Sequence, residues 1–260
     1  MTSTRSFPLR VKTAAEPEPD LTSMVVIHRA MRQDLRRLAA RLGEIAGRGA
    51  PPPQARAIGR YTAALLAEIR AHHANEDEIL WPVIAATAGQ AIDLAPLTDD
   101  HLAIEAAAGR ARQALASFRA APGMLGELHA SVSELRDMVD EHIADEEEQI
   151  LPAMRRYLPA EAYRWCEKQI QRKASLPGLR FTTPWLARYA QPDELSRLLA
   201  TGGRRVRILL AAARPGYIRL ERQAFGARPA AHETRPITHS DHPISSDRTP
   251  RLRLWKEEIR

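Results

Sequence analysis

Apolar residues recur every three to four positions along most of the chain, which is the spacing of amphipathic helices. Four long helices are predicted, over residues 21–46, 54–86, 97–118 and 124–157. The connections carry helix-breaking residues, such as "GRGAPPP" after the first helix and "RAAPG" before the fourth. Four helices joined by short loops predict an all-α fold, an up-down-up-down four-helix bundle.

The helical pattern weakens on both sides of this predicted bundle, which occupies residues 20–158. Residues 1–19 contain Pro and Glu and are predicted to form a flexible N-terminal arm. Residues 159–226 are predicted to form a basic extension of short helices separated by Pro and Gly, and the polar residues 227–260 a disordered tail. The extension follows a break in "YLPAEAYRWC", so it is expected to be separable from the bundle.

Composition and charge narrow the class of protein. No run of 18 apolar residues occurs and the start lacks an apolar signal-peptide segment, so no membrane partner and a cytoplasmic location are expected. The single cysteine, Cys166, cannot form an internal disulfide and is expected to be a buried apolar residue. Net charge is −4 over residues 1–159 and +8 over 160–226. A basic segment can bind nucleic acid, but 34 of the 38 basic residues are Arg in an Ala-rich chain, which indicates a GC-rich coding sequence and disfavours that partner.

Two stretches of similar chemistry interrupt the apolar stripes. "HHANEDEILWP" begins at His72 and "HIADEEEQILP" begins at His142, 70 residues later. In each, a glutamate follows the histidine by four positions, so both side chains lie on one helix face. A third pair in "HLAIE" and an isolated histidine on the first helix complete the candidate metal ligands, which are His28, His72, Glu76, His101, Glu105, His142 and Glu146.

The predicted topology brings these ligands to one end of the bundle. His28 and His101 lie early in the first and third helices, whereas His72 and His142 lie late in the second and fourth. In an up-down-up-down bundle these positions meet on the faces that carry the apolar stripe. Buried imidazoles and carboxylates need a partner, and a metal ion supplies one. Donors without thiolate suit iron, manganese or zinc, and two glutamates able to bridge indicate two ions about 3.5–4 Å apart.

Several neighbouring side chains are predicted to lie outside this site. His73 is rotated by about 100° from His72, so it is expected to face outward, and His129 is expected to be exposed. Glu68, one turn before His72, is a weaker candidate for a supporting role behind the ligands. The additional acids are expected on outer faces, namely Asp77, Glu78, Glu147 and Glu148.

The ordered set, His28 followed by "HHANE", "DDHLAIE" and "HIADE", resembles the hemerythrin family in its HHE form. The resemblance covers about residues 20–158 and implies a centre of two non-haem iron ions, oxo- or hydroxo-bridged. It implies that His28 and His72 bind one iron, that His101 and His142 bind the other, and that Glu76 and Glu146 bridge the two. Members bind oxygen, nitric oxide or peroxide, or sense iron and oxygen, so a ligand of this kind is the expected partner.

Two positions depart from the oxygen-carrying members. Their third helix has a second histidine where this chain has Glu105. Their last carboxylate is an aspartate five residues after the histidine, where this chain has Glu146 at four and Glu147 at five. A carboxylate in place of an imidazole favours ferric over ferrous iron, so a redox or sensing role is expected in preference to reversible oxygen carriage. Direct ligation by Glu105, and the choice between Glu146 and Glu147 as the bridge, stay open.

Two other functions fit the same sequence. The first is a di-iron enzyme that degrades peroxide or nitric oxide. The second is a nucleic-acid-binding regulator that uses the basic residues 159–226. The sequence names no protein partner for that extension.

Overall fold

The computed structural model describes residues 10–226, and every regular element in that range is helical. The predictions for residues 1–9 and 227–260 lie outside the described residues. No helix within 10–226 combines the length and the apolar character that crossing a membrane requires. The helices are α1 (Thr22–Ala46), α2 (Pro52–Asn75), α3 (Trp81–Ala88), α4 (Ala95–Ala120), α5 (Leu125–Tyr157), α6 (Ala160–Lys173), α7 (Leu176–Tyr189) and α8 (Pro192–Phe225).

Four long helices, α1, α2, α4 and α5, form a helical bundle around one apolar core. α1 packs against α5, α5 against α4, α4 against α2, and α2 against α1. The bounds of α1, α4 and α5 lie within two residues of the predicted ones. The apolar stripes that predicted these helices supply the core, which includes Leu35, Leu38, Leu42, Ile58, Leu65, Ile69, Leu128, Leu135 and Val139.

The second predicted helix is divided at its acidic motif. α2 ends at Asn75, a π-helical turn covers Glu76–Leu80, and α3 continues from Trp81. The Trp81 N–H donates to the Glu76 carbonyl five residues earlier, which is the wider pairing of a π turn. The next residue, Pro82, has no N–H, and its ring excludes the carbonyl four residues before it. Regular α-helical pairing therefore cannot continue here, so the helix predicted over 54–86 is present but contains a π turn that was not predicted.

The C-terminal helices belong to the same compact unit as the bundle, so the extension packs on the bundle and does not form a domain of its own. α7 and α8 pack on α1 and α2, and Trp185 is completely buried in the shared core. On α6, Tyr163 and Cys166 are buried in a second apolar cluster. That cluster also contains the start of α1, the π turn and the end of α5, so α6 covers the part of the bundle where the histidines lie.

Partly buried ion pairs fix the extension in place. Arg29 on α1 donates from both terminal nitrogens to the Glu194 carboxylate on α8, at 2.6 and 2.9 Å. Glu221 on α8 accepts from Arg37 at 2.8 Å and lies 2.7 Å from Arg188. Two-point Arg–carboxylate contacts of this kind are stronger and more directional than ordinary surface pairs. The extension is therefore held by specific polar contacts as well as by apolar burial.

Glu68 is a half-buried carboxyl at the contact between α2 and α7, where it accepts a hydrogen bond from the Thr182 hydroxyl at 2.6 Å. Burial raises the pKa of Glu68 to about 7. Because the folded protein holds this proton more tightly than the unfolded chain does, its contribution to stability is complete below the unfolded-state pKa. That contribution is lost as the pH rises toward the folded-state pKa.

Replacing Glu68 with glutamine should therefore stabilise the protein at pH 8 and change little at pH 4. The amide oxygen of Gln still accepts from Thr182, and the amide carries no charge to bury. Urea unfolding at the two pH values measures the difference. Glu127→Gln, at an exposed position of α5, is the control and should show no such pH dependence. Equal stabilisation at both pH values would show that ionisation of Glu68 is not the cause.

Candidate metal centre

Histidines and glutamates from five helical segments converge inside the bundle. α1 provides His28, the last turn of α2 provides His72 and His73, and the π turn provides Glu76 as its first residue. α4 provides His101, and α5 provides His142 and Glu146. All seven side chains are buried, with at most 7 % of any of these residues exposed.

The donor atoms form two groups, in each of which all the atoms lie within 4.8 Å of one another. The first donor group is His28, His72, Glu76 and Glu146, and the second donor group is His73, Glu76, His101 and His142. In the second group the Nε2 atoms of His101 and His142 are 3.1 Å apart, and the His73 ring is stacked on His101 with centroids 4.3 Å apart. Each group therefore has the size and the donor types of a site for one cation.

Two glutamates connect the groups. Glu76 places Oε1 3.0 Å from His72 Nε2 and Oε2 3.6 Å from His101 Nε2. Glu146 Oε2 lies 3.4 Å from His28 Nε2 and 3.7 Å from His142 Nε2. Each carboxylate thus contacts one imidazole of each group.

The arrangement fits cations because its own polar atoms do not satisfy one another. Among the described residues, no hydrogen-bond partner is available to Nε2 of His28, His72 and His73, or to either carboxylate oxygen of Glu76 and Glu146. Buried polar groups normally have such partners. Several lone pairs pointing into the same space are what a metal ion requires.

Burial also sets the protonation of these groups. Burial, and then the charges of neighbouring imidazoles, lower the pKa of His72 and His73 well below the usual range and that of His142 to about 3. These imidazoles are therefore neutral, which is the form that binds metals. Burial and the nearby charge of Glu146 raise the pKa of Glu76. A bound cation would offset both effects and stabilise the carboxylate.

Three further acids contact the outer nitrogens of the histidines. Asp77 Oδ1 lies 2.8 Å from His101 Nδ1, Glu147 Oε1 lies 3.3 Å from His28 Nδ1, and Asp100 Oδ2 lies 3.7 Å from His142 Nδ1. An acceptor at Nδ1 keeps the proton there and leaves Nε2 free to bind a metal. Asp77 and Glu147 are close enough to accept, whereas His142 Nδ1 has no hydrogen-bond partner among the described residues. Both acids are partly exposed, as their predicted outer positions require, but their contacts with the histidines were not predicted. Glu147 lies on the outer side of His28, whereas Glu146 lies between the two groups.

The prediction that His73 faces outward was wrong. Its residue surface is 6 % exposed, and its ring contacts those of His72, His101 and His142. In a packed bundle the buried face of a helix is at least about 100° wide, so two successive residues can both point inward. The doubled histidine in "HHANE" was the sequence signal for this arrangement.

Glu105 is the predicted ligand that the structure does not bring to the site. Its side chain is 44 % exposed, and its Oε1 accepts from Arg112 at 2.7 Å. Along α4 the next buried positions after His101 are Ile104, Ala107 and Ala108, so the buried face of the helix does not include Glu105. A spacing of four residues rotates a side chain by about 40°, and here that rotation carries Glu105 to the surface.

A bundle that buries two connected groups of imidazoles and carboxylates defines a cation-binding helical protein. Residues 20–154, about half of the chain, match the hemerythrin HHE cation binding domain, so the chain belongs to the hemerythrin family. Comparisons with curated proteins and with solved structures found no match.

Proposed function

We propose that this protein holds two non-haem iron ions, one in each donor group, and uses them to bind or sense a small ligand such as oxygen, nitric oxide or peroxide. The observation that carries the proposal is that Glu76 belongs to both groups. A carboxylate with one oxygen directed at each group is suited to bridge two ions. Family membership supports a cation site, and imidazole with carboxylate donors supports iron. An up-down-up-down helix order is part of the proposal, because it places the starts of α1 and α4 beside the ends of α2 and α5.

The proposed ligand set differs from the one expected from sequence. His73 would replace Glu105, so five imidazoles and two carboxylates would hold the ions, with two imidazoles in the first donor group and three in the second. This set has no extra carboxylate in place of an imidazole, so ferric iron is not favoured on that ground. Reversible oxygen binding is therefore retained as one form of the proposed function.

When bound, the two iron ions would supply redox change and coordination positions for the ligand. The protein's own contribution is a dry and confined environment. The donors are buried, Trp81 lies parallel to His101 with ring centroids 6.0 Å apart, and α6 covers this part of the bundle. Such burial favours molecules of a few atoms over larger substrates.

Metal analysis of purified protein, combined with its optical spectrum, tests the proposal. We expect two iron ions per chain, charge-transfer bands typical of a bridged ferric pair, and a change in those bands when azide is added. One ion per chain, or a preference for zinc with no such bands, would overturn it. Steady consumption of peroxide or nitric oxide under the same conditions would identify the enzyme alternative.

A further inference from the structure

A second polar cluster lies in the core, outside the donor groups. Asp34 on α1 is completely buried, and its Oδ2 accepts from the Tyr61 hydroxyl and from Trp185 Nε1, both at 2.6 Å. Its Oδ1 accepts from the Tyr189 hydroxyl. The Tyr217 hydroxyl lies 2.9 Å from that of Tyr61. We name these five residues the Asp34 cluster.

The Asp34 carboxylate is a base held against oxidisable side chains. Burial raises the pKa of Asp34, and the charge of Arg37 only partly offsets this. Burial also raises the pKa of Tyr61 and of Tyr189, so both phenols stay protonated. A phenol or an indole becomes a strong acid when its ring loses an electron. Asp34 can therefore accept the proton along an existing hydrogen bond as the electron leaves.

This transfer neutralises the buried carboxylate and creates no buried cation. It leaves a neutral aromatic radical beside a neutral carboxylic acid, whereas an aromatic radical without a base would be a buried and unpaired cation. Anchoring the extension does not by itself require the carboxylate, since buried charges can often be replaced by apolar groups without loss of stability. The carboxylate thus adds a chemical property that packing does not need.

Two members of the cluster, Asp34 on α1 and Tyr61 on α2, lie on helices that also carry donor residues, whereas the other three lie on α7 and α8. Asp34 follows His28 by six residues on α1, which is about 9 Å along the helix axis. Tyr61 and Trp185 have no exposed surface, whereas Tyr217 and Tyr189 are 6 % and 9 % exposed. All five residues are buried, and Tyr189 is the most exposed of them, so an electron from a reductant outside the protein would enter the cluster at Tyr189.

We propose that the Asp34 cluster is a one-electron relay between a small reductant outside the protein and the iron centre after that centre has reacted with a hydroperoxide. The relay role rests on the iron centre of the proposed function and on its enzyme alternative, in which peroxide is consumed, whereas the oxidation of the cluster rests on neither. Trp185, Tyr61 or Tyr189 would give its electron toward the centre and its proton to Asp34, to which each of them is hydrogen-bonded. The reductant then returns the electron, and Asp34 returns the proton.

The overall reaction balances with a one-electron donor such as ascorbate or a thiol. Two donor molecules each lose one electron and one proton. One hydroperoxide accepts both electrons and both protons, its O–O bond breaks, and one alcohol and one water form. The cluster itself is unchanged at the end of each cycle.

The first test uses metal-free, full-length protein, so that it does not depend on the iron site. One-electron photo-oxidation by a ruthenium sensitiser, followed by freezing and electron paramagnetic resonance, should trap a neutral tryptophan or tyrosine radical. Ring-deuterated Trp or Tyr identifies the residue type. The amide in Asp34→Asn keeps an acceptor oxygen but cannot take up the proton, so the radical yield should fall roughly tenfold. A tenfold lower rate of radical formation corresponds to a barrier to oxidation that is about 1.4 kcal/mol higher.

Control variants keep this test decisive. Trp165→Phe changes a partly buried tryptophan of the other apolar cluster and should leave the signal unchanged. Trp185→Phe keeps an aromatic ring in place and should remove any tryptophan component, which gives a second readout if Asp34→Asn folds poorly. An undiminished yield in a folded Asp34→Asn protein, or a signal lost only in Trp165→Phe, would overturn the proposal.

The second test adds hydrogen peroxide to iron-loaded protein and looks for the same radical. Its appearance in the wild type and its loss in Asp34→Asn would support the relay. Iron-loaded protein without the radical would refute the relay and leave the proposed function standing. Protein that binds no iron but forms the radical on photo-oxidation would refute the proposed function, and with it the relay, while confirming that the cluster is oxidisable.

Discussion

Replacing His73 with alanine is expected to lower the iron content to roughly half, because the second donor group loses one of its three imidazoles. Even the loss of a residue that only hydrogen-bonds to a ligand weakens metal binding by about 10–100-fold. Glu105→Ala should leave the iron content unchanged, because the Glu105 side chain pairs with Arg112 at the surface. Metal analysis of folded, purified variants measures both effects. The sequence motif predicts that the Glu105 variant loses iron, whereas the geometry of the site predicts that the His73 variant does, so this pair of variants distinguishes the two.

His129→Ala is the matched control for removing a histidine. His129 lies on α5 against Gly43 and belongs to neither donor group, so its loss should not change the iron content. Helical circular dichroism must be the same in all variants for the comparison to hold. Loss of iron in Glu105→Ala together with normal iron in His73→Ala would reverse our ligand assignment.

Truncation of Trp185 to alanine is expected to destabilise the protein by about 3–5 kcal/mol, the usual cost of removing a large buried aromatic side chain. Trp185 has no exposed surface, so the truncation leaves a cavity between α7 and the bundle. It also removes one of the donors to Asp34, whose carboxylate is buried. Urea unfolding monitored by circular dichroism gives the free energy of unfolding.

Leu176→Ala on the same helix is the control for this truncation. Leu176 is 70 % exposed, so its substitution should change the unfolding free energy by less than about 0.5 kcal/mol. A Trp185→Ala protein as stable as the wild type would mean that α7 is not part of the core. The expectation of a separable extension would then be supported.

The bundle could be predicted because local rules determine it. Apolar residues spaced three and four apart gave the bounds of α1, α4 and α5, and Gly and Pro gave the loops between the helices. The same periodicity identified six of the residues that the structure brings together, namely His28, His72, Glu76, His101, His142 and Glu146.

The wrong predictions concern side chains whose burial depends on a neighbouring helix. The orientation of His73 depends on α2 being buried on two adjacent faces, one toward His28 and the other toward His101 and His142. Glu105 had the expected spacing, but Arg112 offered it a partner at the surface. Neither fact is present in the periodicity of one helix.

The packing of the extension on the bundle could not be predicted for a similar reason. Its aromatic residues lie among arginines, prolines and glycines, so no strong apolar stripe predicts a core helix. The burial of Trp185 and Tyr189 depends on their hydrogen bonds to Asp34, and Asp34 is not one of the apolar positions that predicted α1.

The hydrogen bond between Asp34 and Trp185 joins residues 151 positions apart, which has a consequence for how the chain folds as it is synthesised. When residues 20–158 have left the ribosome, Asp34 and Tyr61 still lack their partners on α7 and α8. Contacts of such long sequence separation slow folding, because a long loop must close before they form. Until then, a partly assembled bundle exposes a carboxylate and apolar surface that the finished protein buries, so this interval is when the nascent chain is most open to aggregation and to chaperones.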